Sequence, residues 1–293
     1  MKLNLHSTDL SLSLKARVAL EKHVFRFTHS LGQNFILDEN VISDIVYKAG
    51  VQKGDNILEI GPGSGMMTAM MADKGAKVLA IELDRALEPV LNDVIGERDV
   101  KIVFQDALKA DLNALTRGTF GENAPYSIVA NLPYYITADF LMRAITLNPA
   151  PGSITLMVQK EAAERVMSQP GSKNWSALSA SVRYFAEPEV VMEAPALLFT
   201  PPPHVDSCLL KLHMRKDRPL DEADEKRLMA LIQAAFRMRR KTLANNLSAS
   251  YSLSREETIH VLEKAGLGEK VRGEILTVDQ LIDVMKAMQE KSE

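Results

Sequence analysis

Asn56-Ile57-Leu58-Glu59-Ile60-Gly61-Pro62-Gly63-Ser64-Gly65 joins a short apolar run to a glycine turn, and residues from Met66 to Lys74 follow with a helical pattern. Strand, glycine turn and helix in that order form the opening unit of a nucleotide-binding α/β domain. Glycine lets a backbone turn sharply and approach a ligand without a side-chain clash. The spacing is G-x-G-x-G, not the G-x-G-x-x-G of dinucleotide enzymes, and Pro62 removes an amide that a pyrophosphate would use. The stretch therefore predicts an α/β fold and disfavours NAD.

The same pattern continues downstream. Lys77-Val78-Leu79-Ala80-Ile81 reads as a strand ending at Glu82-Leu83-Asp84, and Val100-Lys101-Ile102-Val103-Phe104 as one ending at Gln105-Asp106. An acid at the second strand tip is placed to hold ribose hydroxyls. Asp106 is placed to accept from an adenine amine. Either acid alone is more often a helix cap or a solvated charge. Together, Gly61, Glu82 and Asp106 at successive strand tips describe an adenosine site.

A fourth apolar run, Tyr126-Ser127-Ile128-Val129-Ala130, leads into Asn131-Leu132-Pro133-Tyr134. Pro133 cannot continue a sheet ladder, so the strand ends there. A strand's carboxyl end in such a sheet opens onto the ligand crevice. An amide, a freed backbone carbonyl and an aromatic face at that edge suit a planar, amino-bearing base. The plainer alternative is a strand end followed by a turn.

Elsewhere the residues say less. Leu12, Ala16, Ala19-Leu20 and Val24 predict a helical lead-in over residues 1–28, followed by an irregular stretch, 29–37. Gln33-Asn34-Phe35 fits either a packed loop or a lid, and Asp38 is placed to cap the next helix. Helix is expected at Asp139–Ile145 and Lys160–Met167, strand at Ser153–Val158, an exposed loop at Gln169–Asn174 and a short β-like run at Glu189–Met192. The prolines of Phe199-Thr200-Pro201-Pro202-Pro203-His204-Val205-Asp206-Ser207 forbid helix and central strand, so this is a stiff loop feeding a strand over Cys208–His213. On its own residues Phe199 reads as a packing plug rather than a stacking face.

Near Lys216-Asp217-Arg218-Pro219 the pattern becomes wholly helical, which predicts two domains, 1–215 and 216–293. The first helix of the second domain is expected to carry Leu228, Leu231, Ile232, Ala235 and Phe236 on one face. Its polar side is expected to carry Lys226, Arg227, Arg237, Arg239, Arg240 and Lys241, with no acid between Lys226 and Arg255. A solvated face normally mixes signs, so this cluster points to nucleic-acid phosphates. Two more helices are expected to follow, opened by capping boxes at Ser254–Glu257 and Thr277–Gln280, with Gly266 as a stop.

Composition sets the class. A chain of 293 residues favours two domains, and 46% hydrophobic with 25% charged residues describes a soluble globular protein. A net charge of -3 argues only weakly against a polyanion partner, because local clusters outweigh a total. Cys208 is the single cysteine, which excludes an internal disulfide and a cysteine-cluster zinc site. Met1 to Ser30 lacks the apolar core of a signal peptide and no stretch is long enough to span a membrane, so a cytoplasmic protein is expected.

With these pieces in order the sequence resembles the rRNA adenine N6-dimethyltransferases. The resemblance rests on Leu31-Gly32-Gln33-Asn34-Phe35, Glu59-Ile60-Gly61-Pro62-Gly63-Ser64-Gly65 and Asn131-Leu132-Pro133-Tyr134. Phe199-x-Pro201-x-Pro203-x-Val205-x-Ser207 and Arg239-Arg240-Lys241-Thr242 complete it. It implies a Rossmann-like methyltransferase sheet with helices on both faces, plus a small all-α C-terminal domain that binds RNA through Arg237, Arg239, Arg240 and Lys241. The implied cofactor is S-adenosylmethionine, held by Gln33, Asn34, Ile36, Glu59, Gly61, Gly63, Glu82, Asp106 and Asn131, with no metal. The implied catalytic set is Asn131, Leu132, Pro133, Tyr134 and Phe199, with Tyr134 and Phe199 sandwiching a flipped adenine. The branch most resembled dimethylates two adjacent adenines near the 3′ end of small-subunit rRNA, which implies a monomer acting on a pre-30S particle. The alternatives are the macrolide-resistance branch acting on large-subunit rRNA, a non-catalytic assembly factor, and a DNA adenine methyltransferase. Departures are small, such as His29 where a basic residue is common.

Overall fold

A computed structural model describes residues 10–28 and 31–290; His29 lies outside the described residues. In chain order the elements are α1 (Leu12–Lys22), β1 (Phe35–Ile36), α2 (Glu39–Ala49), β2 (Asn56–Ile60), α3 (Met66–Asp73), β3 (Lys77–Glu82) and α4 (Glu88–Ile95). Next come β4 (Val100–Phe104), α5 (Leu112–Phe120), β5 (Ser127–Asn131), α6 (Thr137–Ala144), β6 (Ser153–Gln159), α7 (Lys160–Met167) and α8 (Ala177–Phe185). The rest are β7 (Ala186–Ala194), β8 (Phe199–Thr200), β9 (Ser207–Met214), α9 (Glu222–Phe236), α10 (Leu243–Tyr251), α11 (Arg255–Lys264) and α12 (Val278–Gln289).

Two compact units result. One runs to Ala163 and resumes over Pro188–Met214; the other takes Glu164–Glu187 and continues from Arg215. The second unit thus gains a segment that the sequence places in the first domain. The physical reason is α8 and the tryptophan before it. Trp175 is fully buried, its indole N–H donates to the Leu276 carbonyl at 3.1 Å, and its ring meets Phe236 edge-on. The Tyr184 hydroxyl donates to Glu225 at 3.1 Å, so α8 belongs with α9.

In the first unit a seven-stranded sheet has the order β4-β3-β2-β5-β6-β9-β7. From β4 to β6 the strands run parallel, and β9 is antiparallel to β6. The chain leaves β2 toward β3 and β4, then returns to place β5 on the other side of β2. That reversal opens a crevice at the carboxyl ends of β2 and β5, where ligands bind in open α/β sheets. Both faces of the central strands are covered. Ile57 packs with α1 to α4, while its neighbours Leu58 and Ile60 are equally buried on the opposite side.

Several expectations shift. Val24 lies outside its helix with a positive φ of 50°, because α1 ends at Lys22. The irregular stretch 31–37 contains β1, and the stiff proline loop begins with β8; Phe35 pairs with Thr200 and Ile36 with Phe199. Two residues of strand carry little pattern of their own, so only the distant partner stabilises them. Asp38 caps α2 as expected, accepting from Asn40 N–H at 2.8 Å.

Within the second unit α9 stops at Phe236, and residues 237–242 form a turn rather than the polar side of a helix. Thr242 then caps α10, a helix not anticipated from the sequence. Both expected capping boxes are present, and Gly266 adopts a left-handed φ of 69° after α11.

Candidate active site

Every strand tip named from the sequence faces one cleft in the first unit. It is partly open to solvent, and its walls include Asn34, Gly61, Glu82, Asp106, Asn131 and Tyr134. Gln33, Ile36, Gly63, Leu132 and Pro133 also line it. Two predicted residues do not. Glu59 and Phe199 lie behind the walls, fully and 97% buried respectively, with Phe199 only 3% exposed.

The glycine turn is shaped for close approach. Gly63 has a φ of 55°, and a Cβ there would sit 2.9 Å from the Phe35 ring, so no side chain fits. Its N–H donates to Glu82 Oε2 at 3.3 Å, while Asp84 N–H donates to Oε1 at 2.8 Å. The Glu82 carboxylate is therefore aimed by backbone amides at the tip of β3. Burial raises its pKa, and the backbone N–H groups of Asp84, Gly63 and Leu83 oppose that shift. A carboxylate fixed in this way has lone pairs left for paired hydroxyls.

Asp106 accepts from Leu108 N–H at 2.9 Å and faces Lys109 at 3.3 Å, which closes the turn after β4. It stands at the cleft wall. Gln33 does something the sequence does not suggest. Its Oε1 accepts from Thr28 N–H and its Nε2 donates to Asp84 Oδ2, both at 2.7 Å. The side chain is a strut joining the N-terminal segment to the tip of β3.

Asn131 ends β5 and donates from Nδ2 to the Asn34 carbonyl at 3.0 Å. A carbonyl only accepts, so this bond fixes which end of the amide is nitrogen and leaves Oδ1 as the acceptor. Pro133, with φ −55° and ψ 133°, ends the ladder and starts the short turn Tyr134–Ile136. Tyr134 is half-buried, its hydroxyl 2.9 Å from the Ser207 hydroxyl, and burial raises its pKa. An amide oxygen and a tethered aromatic ring thus stand at one strand end.

Phe199 sits in the core cluster with Phe35, Ile36, Ala194 and Leu209, held by the β1–β8 pairing. In this arrangement it is the packing plug, because the pairing of Ile36 with Phe199 anchors its backbone beneath the cleft wall. Glu59 is fully buried and neither carboxyl oxygen has a hydrogen-bond partner among the described residues. Strand alternation explains its position: Glu59 opposes Ala80, so it shares a sheet face with Glu82, two residues on. Burial pushes its pKa up to about 8; Thr68 nearby opposes the shift without reaching bonding geometry, and Glu82 adds to it.

In the second unit Arg237, Arg239, Arg240 and Lys241 are all exposed on the turn after α9. Arg239 donates to the Lys173 carbonyl at 2.7 Å and lies 3.8 Å from Glu274. The side chains of Arg237, Arg240 and Lys241 have no partner among the described residues. Buried Asn246 holds the turn in shape, donating to Ala235 O at 2.9 Å and Met238 O at 3.3 Å and accepting from Met238 N–H at 3.2 Å. Among the described residues no cluster of His, Cys, Asp and Glu could hold a metal, and no helix is long and apolar enough to cross a membrane.

The family model described as ribosomal RNA adenine dimethylase matches residues 24–290. A ribosomal RNA small subunit methyltransferase A from Alkaliphilus metalliredigens is 40% identical, over 93% of this chain and 95% of that protein. One from Oceanobacillus iheyensis is 42% identical over 90% and 91%. Among solved structures, a dimethyladenosine transferase from Plasmodium falciparum superposes with a TM-score of 0.71 at 24% identity, covering 87% of this chain and 97% of that one. A 23S rRNA methyltransferase, ErmE, gives 0.64 at 24% identity, covering 87% and 100%. These two structures attest the fold.

Proposed function

The chain belongs to the ribosomal RNA adenine dimethylase family, and from that premise we propose that it methylates N6 of two adjacent adenines near the 3′ end of small-subunit rRNA. The observation that carries the proposal is the meeting of Asn131, Tyr134 and Glu82 in one cleft beside a glycine turn with no room for a side chain at Gly63. S-adenosylmethionine fits that donor set and supplies an electrophilic methyl group. Glu82 would take its ribose hydroxyls and Asp106 its adenine amine, with Asn34, Ile36, Gly61 and Gly63 forming the walls.

The chain's own residues then act by positioning. An exocyclic N6 lone pair is delocalised into the ring and is a weak nucleophile. Asn131 Oδ1, oriented by the bond from Nδ2 to Asn34 O, accepts from the amine as positive charge develops there. The Leu132 carbonyl is the second acceptor in this reading. Tyr134 stacks on the flipped base, and alignment rather than a strong base supplies the rate. Phe199 completes the stack only by leaving its buried position. The second unit binds rRNA phosphates through Arg237, Arg240, Lys241 and, after exchanging its internal partners, Arg239. The particle bound is a pre-30S intermediate and the protein acts as a cytoplasmic monomer in this reading.

The test is nucleoside mass spectrometry of both rRNAs from cells with and without the gene, paired with methylation by the purified protein. Dimethyladenine lost from the small-subunit rRNA alone is the expected result. Loss from the large-subunit rRNA would move the activity to the other branch. Asn131→Ala should lower the single-turnover rate by about 10² to 10³, as for removal of one preorganised partner.

A further inference from the structure

Ser207 is wholly buried, and its hydroxyl lies 2.9 Å from that of Tyr134. The sheet explains the encounter. Asn131 opposes Met157 on β6, and β9 runs antiparallel to β6 with Ser207 opposite Gln159. A strand of reversed direction begins at the edge where its parallel neighbours end. β9 therefore starts where β5 finishes, and the last residue of the proline loop arrives beside the turn that carries Tyr134.

Backbone contacts fix the origin of the serine. Asp206 accepts from Lys160 N–H through its carbonyl at 3.1 Å and from Ala196 N–H through Oδ1 at 2.9 Å, and Ser207 itself lies in the ladder with β6. Tyr134 has less support: its carbonyl accepts from Thr137 N–H within the short turn after Pro133, and its side chain is only half-buried. Rotation about its first side-chain torsion would swing the ring away from the place where a base is to stack. The hydroxyl pair removes that freedom by tying the ring's far end to the sheet, and so fixes the line along which the ring lies. The same pair occupies the phenol, which burial keeps protonated.

We propose that Ser207 is a positioning residue that fixes the position and axis of the Tyr134 ring, and through it the pose of the target base. The late proline loop thereby serves the reaction through the serine at its end. This rests on the adenine methylation proposed above. Its consequence is sharpest for the second methyl transfer. A monomethylated amine keeps one N–H and must present it in the same clamp, so a ring free to tilt should stall the reaction after the first transfer.

The experiment is a double-mutant cycle of Ser207→Ala and Tyr134→Phe in the full-length protein, read by single-turnover methylation of a small-subunit precursor particle with mono- and dimethyladenine counted separately. The two variants remove one bond from opposite ends, one from a buried site and one from a half-buried one. Each should slow the second transfer about 3- to 10-fold, the range for one lost hydrogen bond, and accumulate monomethyladenine. The double variant should be no worse than the poorer single, and calorimetric binding of S-adenosylmethionine should not change. Wild-type rates and product ratios for Ser207→Ala overturn the proposal. So does a Tyr134→Phe defect much larger than, and additive with, that of Ser207→Ala, which would place the phenol directly on the base. Should the wild type methylate a different adenine-bearing RNA instead, the substrate reading falls, and the same cycle on that RNA decides the role of Ser207.

Discussion

Glu59→Gln should make the protein more stable at neutral pH, although it replaces a charged residue type in the strand that opens the fold. Glu59 is fully buried with both oxygens unpartnered, and burial lifts its pKa from 4.5 to about 8. Below the lower value the carboxyl is protonated in folded and unfolded chains alike, and stability is full. Between the two values only the unfolded chain ionises, so stability falls as pH rises. The loss reaches at most about 5 kcal/mol above the folded value and about 3 kcal/mol near pH 7. Glutamine has nearly the same shape and no proton to lose. The variant should match the wild type near pH 4.5 and exceed it by up to about 3 kcal/mol near neutrality. Urea denaturation followed by circular dichroism across that range measures the difference. Parallel profiles for the two proteins, or a variant less stable at neutral pH, would refute a neutral Glu59.

Phe199→Ala should cost about 3–5 kcal/mol of stability, as for other buried phenylalanines, and thermal denaturation should show it; if stability is unchanged while methylation fails, the ring works in the cleft instead. Replacing Arg240 should reduce the salt dependence of RNA binding by about one unit in the logarithmic slope. Arg239, which already engages Lys173 and Glu274, should contribute less, and equal effects would refute that ranking. Asn246→Ala removes three bonds to the backbone at Ala235 and Met238 and should destabilise by about 1–3 kcal/mol, the cost of unsatisfied buried groups. Its RNA affinity should fall with the salt slope intact, since no cation is lost.

Legibility followed the range of the interaction. β2, β3, β4 and β5 carry their own apolar pattern, and the strand tips follow once the glycine turn fixes chain direction. Gly61, Glu82, Asp106 and Asn131 could therefore be placed together without coordinates. The capping boxes of α11 and α12 and the Asp38 cap are equally local. What failed depended on distant partners. β1 and β8 are two residues each, and nothing in Phe35-Ile36 announces Phe199-Thr200. Trp175 and α8 read as sequence after a loop, because their membership of the second unit is decided by Leu276, Phe236 and Glu225. The motif groups Glu59 with the cofactor residues, but it lies inside β2 rather than at its tip and is buried, although it shares the sheet face of Glu82. Arg237 to Lys241 continue the composition of α9 but not its backbone, since Thr242 and Asn246 act together to make a turn. Ser207 stood in the sequence only as the end of a proline loop; its partner Tyr134 lies 73 positions away.

The antiparallel insertion of β9 also orders events during synthesis. β9 lies between β6 and β7, and β8 completes β1, although β1 leaves the ribosome more than a hundred and fifty residues earlier. A nascent chain that has released β2 to β6 already holds the glycine turn, Glu82, Asp106 and Asn131. It has no strand to accompany Phe35-Ile36 and no serine to hold Tyr134. The half of the cleft walled by Gly61, Glu82 and Asp106 can therefore take shape early, while the half around Tyr134 waits for Met214 to emerge. A chain arrested before residue 199 would retain the edge proposed to hold a nucleoside, without the serine proposed to align a base against it.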